Sequence, residues 1–294
     1  MAFPVPATMM GVSDIAVAAK RRIRRAAVSV WATAHGALNC SPRSSILIMG
    51  HMRSGSTLLL HLLMSHSQII GCGERNTAYR APRDLDRLAV ESRLRAGSLL
   101  RAYQYAADQI NHTRFTPVER LLDHARVRLL FLVREPEPTI ASIIAVAGRY
   151  YPSFGWTVER AAAYYMERLH ALERIASGLA NPASGIFLTH DDLVRRSVET
   201  LHLLERYLNL AESLSPRYDL QEFTGRRGDP MDGVRRGRID PLRPDRRIEL
   251  PEEVLARVRA SHASCVTVLR RFVTFRSLHG PDSRADARPI SPCS

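Results

Sequence analysis

The sequence has almost no lysine and no paired cysteine motif. Lys20 is the only lysine in a chain of 294 residues, although lysine and arginine together number 42, so arginine carries nearly all of the positive charge. The four cysteines are widely scattered and form no C-x-x-C pair. This pattern argues against a zinc site or a small disulfide framework, and it favours a reducing, cytoplasmic compartment.

Long apolar runs are missing as well. No stretch approaches the roughly 20 apolar residues that a transmembrane helix needs, and no charged segment precedes the apolar part of the N-terminus as it would in a signal peptide. Hydrophobic residues make up 45% of the chain and charged residues 24%, which is typical of a globular protein. The length suits one large α/β domain or two small ones.

The formal net charge is +13. Such an excess suits a partner rich in phosphate, sulfate or carboxylate, or an anionic surface. A GC-rich genome would produce the same arginine excess without any functional meaning. The arginines are dispersed and no recognition motif accompanies them, so we expect no nucleic-acid partner.

The stretch from Ser45 to His61 joins a short apolar run, a Gly/Ser loop and a helix that opens on hydroxyl residues. From Gly50 its spacing is G-x-x-x-x-G-S-T, a P-loop skeleton in which Ser56 stands where nucleotide-triphosphate sites need lysine. Backbone N–H groups and the helix N-terminus of such a loop bind an anion. Without the lysine the loop is a poor match for a Mg-triphosphate ligand. The cation of this loop is Arg53, which stands at a different position.

A strand followed by a helix occurs again at Val127–Val133, which leads through Arg134 into a helix that contains Ser142. Further short strands are predicted at residues 68–70 and 185–189. Asp84 is the predicted N-cap of a helix that runs towards Asn111. Asp191 or Asp192 is the predicted cap of a helix that reaches Leu208, and Asn209 is its predicted C-cap. This order indicates an α/β, P-loop-like, three-layer fold with a central parallel sheet flanked by helices.

Three parts of the chain are distinguished. We expect residues 1–40 to form a basic helical segment, 41–278 the main domain and 279–294 a disordered tail. Five basic residues between Lys20 and Arg25 would lie either in water or on an anionic membrane, so peripheral membrane association is one possibility. The oligomeric state is not predicted.

Two motifs together resemble sulfotransferases that use 3′-phosphoadenosine 5′-phosphosulfate (PAPS). Arg53-Ser-Gly-Ser-Thr57 after a strand is similar to their 5′-phosphosulfate loop. Arg134, with Ser142 eight positions later, is similar to their 3′-phosphate signature. The resemblance is to bacterial members, with local similarity to tyrosylprotein and carbohydrate sulfotransferases, and it implies PAPS as co-substrate with no metal.

The resemblance assigns roles to single residues. Arg53 would neutralise charge on the leaving phosphate, while the N–H groups near Gly55, Ser56 and Thr57, after Ser54, would hold the phosphosulfate. Arg134 would bind the 3′-phosphate as a bidentate donor, with the Ser142 hydroxyl beside it. The alternative for Arg134 is a surface ion pair with Glu135 or Glu137.

Glu74 is the candidate base. The segment from His66 to Glu74 is similar to the one that follows the P-loop in tyrosylprotein sulfotransferases and related enzymes, where a glutamate acts as the catalytic base. Burial beside the acceptor hydroxyl would raise its pKa. The rival bases are histidines: His51, His61, His66 and His112.

A late basic loop corresponds in place to the segment that closes over the 3′-phosphate in this family. Arg226, Arg227 or Arg238 would contact that phosphate, and Arg238 is preferred. A solvated basic loop is the alternative.

The resemblance implies transfer of a sulfuryl group to an acceptor hydroxyl. The acceptor remains open between a carbohydrate, a lipid-linked or small molecule, and a protein tyrosine, and the aromatic residues 150–156 could stack on a ring. The alternatives are a P-loop nucleotide kinase or NTPase-like protein and a non-catalytic nucleotide-binding protein.

Overall fold

The computed structural model describes residues 42, 44–98, 101–150, 155–225, 233–242, 245–246 and 248–273. The β-strands are β1 Ser44–Met49, β2 Ile69–Gly71, β3 Tyr105–Ile110, β4 Val127–Val133 and β5 Gly185–Thr189. The α-helices are α1 Ser56–Met64, α2 Pro82–Ala96, α3 Glu119–Leu122, α4 Pro136–Tyr150, α5 Val158–Ser177, α6 His190–Arg195, α7 Ser197–Leu208 and α8 Glu252–Phe272.

The described strands form one five-stranded parallel sheet in the order β2-β3-β1-β4-β5. β1 lies at the centre, because it pairs with β3 on one side and with β4 on the other. The P-loop that follows β1 therefore lies at the carboxyl edge of the sheet between its two neighbours, where parallel α/β sheets bind ligands.

Both faces of the sheet are covered, as the apolar strands predict. Leu47 and Met49 of β1 face a core that includes residues of α2, α4, α5 and α8. Ile46 and Ile48 face a second core, which includes residues of α1 and α7. The predicted α/β fold with a parallel sheet between helical layers is confirmed.

The prediction of a helix from Asp84 towards Asn111 is wrong in its second half, because Tyr105–Ile110 forms the strand β3. The helix ends at Ala96, where Gly97 takes a left-handed φ of 60° as the C-cap, and the chain returns to the sheet at Tyr105. Asp84 is the N3 residue and not the N-cap, since its carboxylate accepts the backbone N–H of Ala81 at 2.9 Å.

The predicted cap of the helix after β5 is also wrong. Thr189, and neither Asp191 nor Asp192, is the N-cap of α6. A short break at Arg196 separates α6 from α7, and Asn209 closes α7 in the left-handed conformation, as predicted.

The predicted basic segment 1–40 and the predicted tail 279–294 lie outside the described residues, so both stay predictions. None of the helices that the structure describes is long and apolar enough to cross a bilayer.

The capping box at Thr189 should contribute measurably to stability. Its hydroxyl accepts the N–H of Asp192 at 3.1 Å and donates to the Asp192 carboxylate at 2.6 Å. Thr189→Ala is expected to lower the free energy of unfolding by about 1 kcal/mol in urea titrations.

Thr267→Ala is the matched control, because among the described residues that exposed hydroxyl bonds only to a carbonyl within its own helix. We expect it to change stability by less than about 0.5 kcal/mol. Equal losses in the two variants would contradict the assignment of Thr189 as the cap.

Candidate active site

The P-loop is built around backbone that few side chains allow. Gly55 has a φ of 96° and Arg53 a φ of 67°, both in the left-handed region. Gly55 is the N-cap of α1 and provides no side-chain cap for the first N–H groups of that helix. Free N–H groups at a helix start, together with the helix dipole, form a favourable place for an anion.

The hydroxyl residues of the loop are buried. Ser54, Ser56 and Thr57 each expose 9% or less of their surface. The Ser54 hydroxyl has no hydrogen-bond partner among the described residues, and it lies 2.7 Å from where a Cβ on Gly50 would stand. A side chain at Gly50 would therefore displace it.

Arg53 joins the two predicted anion motifs. Its Nε donates to the hydroxyl of Ser142 on α4 at 2.8 Å. Arg134, at the end of β4, donates from its guanidinium to the carbonyl oxygen of Arg53 at 3.2 Å. Residues that are far apart in the sequence are thus in direct contact at the carboxyl edge of the sheet.

Arg134 also forms an ion pair with Asp245, and its side chain is only 14% exposed. The alternative partners proposed for it from the sequence are engaged elsewhere: Glu137 pairs with Arg259, and Glu135 faces His262. Arg134 is therefore a half-enclosed cation of the site rather than a surface residue paired with its own neighbours.

His190 is a further residue beside the loop that the sequence did not indicate. A Cβ on Gly55 would stand 2.8 Å from the His190 ring, so glycine is required at that position for space as well as for its φ. Burial, followed by the charges of Arg134, His51 and Arg53, holds the pKa of His190 well below its ordinary value. Its imidazole is neutral at neutral pH.

One face of α5 holds the ends of β1, β3 and β4 together. The hydroxyl of Tyr164 accepts the N–H of Met52 at 2.8 Å and donates to the carbonyl of Asn111 at 2.7 Å. The hydroxyl of Tyr165 donates to the carbonyl of Arg134 at 2.7 Å. These tyrosines connect the P-loop to the segments that follow β3 and β4.

Arg168, one turn further along α5, is completely buried. Its guanidinium donates to the carbonyls of Gly50 and Ile110, both at 2.7 Å, and to the hydroxyl of Thr116 at 3.1 Å. Burial lowers the pKa of Arg168 to about 10, so it stays charged at neutral pH. A positive charge thus lies directly beneath the P-loop, bound by neutral groups.

Glu74 lies on the β2 side of this edge. The side-chain amide of Asn111, at the end of β3, donates to its Oε1 at 3.2 Å. Burial raises the pKa of Glu74 to about 7; the Asn111 hydrogen bond lowers the pKa, the Asp108 charge raises it and the Arg114 charge lowers it. A carboxyl group with such a pKa can take a proton near neutral pH.

Three of the rival histidines have both ring nitrogens engaged. His51 bonds to the Met52 carbonyl and accepts the N–H of Arg134, and burial lowers its pKa to about 3. His61 bonds to Thr57 and Thr224. His66 bonds to the carbonyl of Glu212 and accepts the N–H of Gln68.

His112 is the remaining rival. It lies edge-on to the rings of Phe115 and Tyr164, and burial lowers its pKa to about 4. An imidazole with that pKa is neutral at neutral pH but a weak base, so Glu74 is the better matched group.

Arg238 is exposed and forms a backbone bridge with Arg217. Its proposed role in binding the 3′-phosphate stays a prediction. The other two candidates of that loop, Arg226 and Arg227, lie outside the described residues.

Some of these residues could have been found from the sequence and others could not. Gly97 is a helix stop signal, and ending α2 there would have allowed a strand that ends beside Asn111. Nothing local distinguishes Arg168 from the other arginines of an amphipathic helix, because its partners are backbone carbonyls distant in sequence.

Comparison with known families gives a partial match. Residues 45–126 match the model of the sulfotransferase family, a stretch that contains the P-loop, Glu74 and Asn111. The predicted resemblance to sulfotransferases is confirmed by this match, which ends before Arg134. No curated protein sequence matches the chain.

Two solved structures share the fold. One is the sulfotransferase domain from the curacin biosynthetic pathway, with 16% identity, a TM-score of 0.50, and coverage of 76% of this chain and 98% of that domain. The other is the sulfotransferase domain from the Synechococcus PCC 7002 olefin synthase, with 17% identity, a TM-score of 0.51, and coverage of 76% and 95%. At such identities the likeness concerns the fold.

The buried guanidinium of Arg168 leads to a stability prediction. In Arg168→Met the carbonyl of Gly50 loses its side-chain donor, so we expect the free energy of unfolding to fall by about 2–4 kcal/mol in urea titrations. Arg168→Lys keeps the charge and should lose less. The outcome that contradicts this role is a methionine variant as stable as the original chain.

Proposed function

We propose that this chain, whose residues 45–126 match the sulfotransferase family, transfers a sulfuryl group from PAPS to a hydroxyl group of an acceptor. The observation that carries the proposal is the hydrogen bond between Arg53 and Ser142, because it places the two predicted anion motifs side by side. A donor with phosphate-type groups at both ends of one ribose needs two such motifs in contact.

The P-loop suits the phosphosulfate end of the donor. The start of α1 offers backbone N–H groups without a side-chain cap, and the left-handed backbone at Arg53 and Gly55 orients the loop. Arg53 would stabilise negative charge on the leaving phosphate as a fixed cation, since a guanidinium does not give up its proton at neutral pH.

Arg134 and Ser142 suit the 3′-phosphate. The guanidinium of Arg134 would replace its carboxylate partner Asp245 by a phosphate, and the Ser142 hydroxyl already lies beside Arg53. Charge-assisted hydrogen bonds to phosphate are among the stronger ones in proteins.

Glu74 is the proposed base. In the reaction the acceptor oxygen forms a bond to sulfur while the bond between sulfur and the 5′-phosphate oxygen breaks. Glu74 takes the proton of the acceptor hydroxyl, and adenosine 3′,5′-bisphosphate leaves with the electron pair. Positioning and charge stabilisation supply most of the rate in such in-line displacements. No residue in this scheme requires a metal ion.

A row of aromatic rings includes Tyr164, which lies near Glu74, and this row supports a ring-bearing acceptor. Trp156 and His112 both lie edge-on to Tyr164, with ring centroids 5.9 and 5.8 Å away, and Phe115 continues the row from His112. A sugar, a small molecule or a tyrosine side chain could lie on such a surface. Trp156 is the residue of the predicted aromatic loop that the structure describes in this row, and residues 151–154 lie outside the described part.

The kinase or NTPase alternative needs a lysine at the position of Ser56 and a Mg-triphosphate. Titration calorimetry with adenosine 3′,5′-bisphosphate, and separately with Mg-ATP, separates the proposals. We expect micromolar binding of the bisphosphate only. Transfer of labelled sulfate from PAPS across glycan, phenol and tyrosine-peptide acceptors then tests the reaction. Absence of bisphosphate binding would sink the proposal.

Glu74→Gln is expected to abolish most turnover while it keeps donor affinity. Loss of a general base typically costs about 100- to 10,000-fold in rate. In the unmodified chain the rate should rise with pH and level off above about 7, since the carboxylate is the active form. Glu91→Gln, which alters an acid paired with Arg75 and Arg95, is the control. A glutamine variant at residue 74 with full turnover would exclude Glu74 as the base.

Asp245→Asn should tighten binding of adenosine 3′,5′-bisphosphate. In the free chain the Asp245 carboxylate pairs with the guanidinium of Arg134, so a phosphate that binds Arg134 must displace that carboxylate. The carboxylate of this pair is 40% exposed, so the pair is worth up to about 1 kcal/mol, which corresponds to about a twofold to fivefold gain in affinity by calorimetry. Asp240→Asn, which removes the carboxylate paired with Arg236, should leave affinity unchanged. Weaker binding in Asp245→Asn would contradict this competition.

A further inference from the structure

Asn111 connects Glu74 to the P-loop. Its amide nitrogen faces Oε1 of Glu74 at 3.2 Å, as it must, because a carboxylate can only accept a hydrogen bond. Its Oδ1 is buried, has no partner among the described residues, and lies 3.2 Å from where a Cβ on Gly50 would stand. The residue is 6% exposed, so its side chain is fixed by packing as well as by the hydrogen bond.

Asp108 fixes the backbone directly after Glu74. Its Oδ1 accepts the N–H of Arg75 at 3.2 Å and that of Gln109 at 2.8 Å. Its Oδ2 accepts the hydroxyl of Tyr79 at 2.6 Å. Asp108 is 1% exposed, and a carboxylate buried in the middle of a parallel sheet is costly unless its hydrogen bonds are made.

We infer that Asn111 and Asp108 are positioning residues for Glu74: the amide of Asn111 holds the carboxylate, and Asp108 holds the chain at the next residue. This inference rests on the proposed function in so far as Glu74 is the base. Neither residue needs to touch the acceptor or the donor. Both come from β3 or its end, the strand that lies between β2 and the P-loop strand β1.

Other groups face Glu74 as well. Arg114, in the short 3₁₀ turn Thr113–Phe115 after β3, is near enough to lower the Glu74 pKa. From α5, Tyr164 lies near Glu74 and keeps a neutral hydroxyl, since burial raises its pKa. Arg75, the next residue in the chain, is engaged by Glu91 and by the hydroxyl of Tyr79.

The two positioning residues act on the proton affinity of Glu74 with opposite signs. The Asn111 amide donates to the charged form and favours it, so its removal should raise the Glu74 pKa. Asp108 is a second negative charge, ionised above a pKa of about 6, and disfavours the charged form. Neutralising Asp108 should therefore lower the Glu74 pKa. A general loosening of the site would reduce the burial that raises the Glu74 pKa and would lower that pKa in both variants, so it would not produce opposite shifts.

The test compares Asn111→Ala with Asp108→Asn in the full chain. The pKa of Glu74 is read from a ¹³C NMR titration of the glutamate carboxyl carbons, in which Glu74→Gln identifies the resonance. The second reading is the acid limb of the pH profile of kcat/KM for sulfate transfer. We expect Asn111→Ala to move both readings upward by about one pH unit. Asp108→Asn should move both downward by about half a unit or more.

Matched controls are available on the same molecule. Asn181→Ala removes an amide whose oxygen accepts the N–H of Ala183. Asp123→Asn neutralises a carboxylate that accepts the N–H groups of Ala180 and Asn181. Neither lies in the Glu74 network, so both should leave its pKa in place. If Asn111→Ala does not fold, Asn111→Ser gives a smaller change that should have the same sign.

The outcomes separate the two proposals. Opposite shifts support the inference, whereas shifts of the same sign, or no shift in the NMR titration, overturn it. If the NMR shifts occur as expected but no acceptor is sulfated, the proposed function fails while the control of Glu74 by β3 stands. If transfer occurs and the shifts do not, the function stands and the inference fails.

Discussion

The carboxyl ends of β1, β3 and β4 are held together by hydrogen bonds from one face of α5, and the candidate site depends on that constraint. Parallel strands bring their ends to one edge, but the pairing within the sheet does not fix the loops that follow. Tyr164, Tyr165 and Arg168 bind the backbone of those loops directly. Because the partners are main-chain groups, the site geometry follows from the packing of this helix.

The same contacts give the site its charge. Arg168 is buried, and its partners among the described residues are two carbonyls and a hydroxyl rather than a carboxylate. Arg53 and Arg134 lie above it at the P-loop. Neutral His51 and His190 fill the space around them. Under the proposed function an anionic donor completes this arrangement, and its charge is stabilised in a low-dielectric setting where such interactions are strong.

Local sequence signals predicted the strands β1, β4 and β5, because each is a continuous apolar run followed by a turn or a helix. The loop spacing after β1 predicted the P-loop, and the order of strands and helices predicted the parallel sheet. The strand β3 escaped prediction, since Tyr105–Ile110 contains alanines, an aspartate and a glutamine and follows a strongly helical segment. Its polar residues are buried because they bind backbone and side chains of the site. The contacts of Arg53 with Ser142 and of Arg168 with Gly50 depend on tertiary structure, which local pattern does not encode.

The missing P-loop lysine now has a structural explanation. P-loops that bind nucleotide triphosphates have a lysine at the position of Ser56, and it reaches the β- and γ-phosphates. Arg53 instead leaves the loop before α1 begins and reaches α4. Its charge therefore lies between the loop and the Arg134 motif, where it can act on both. Glu74 approaches from the opposite side, through Asn111 and β3. Under the proposed function the anionic donor would therefore lie on the side of Arg53 and Arg134, and the acceptor hydroxyl would lie on the side of Glu74.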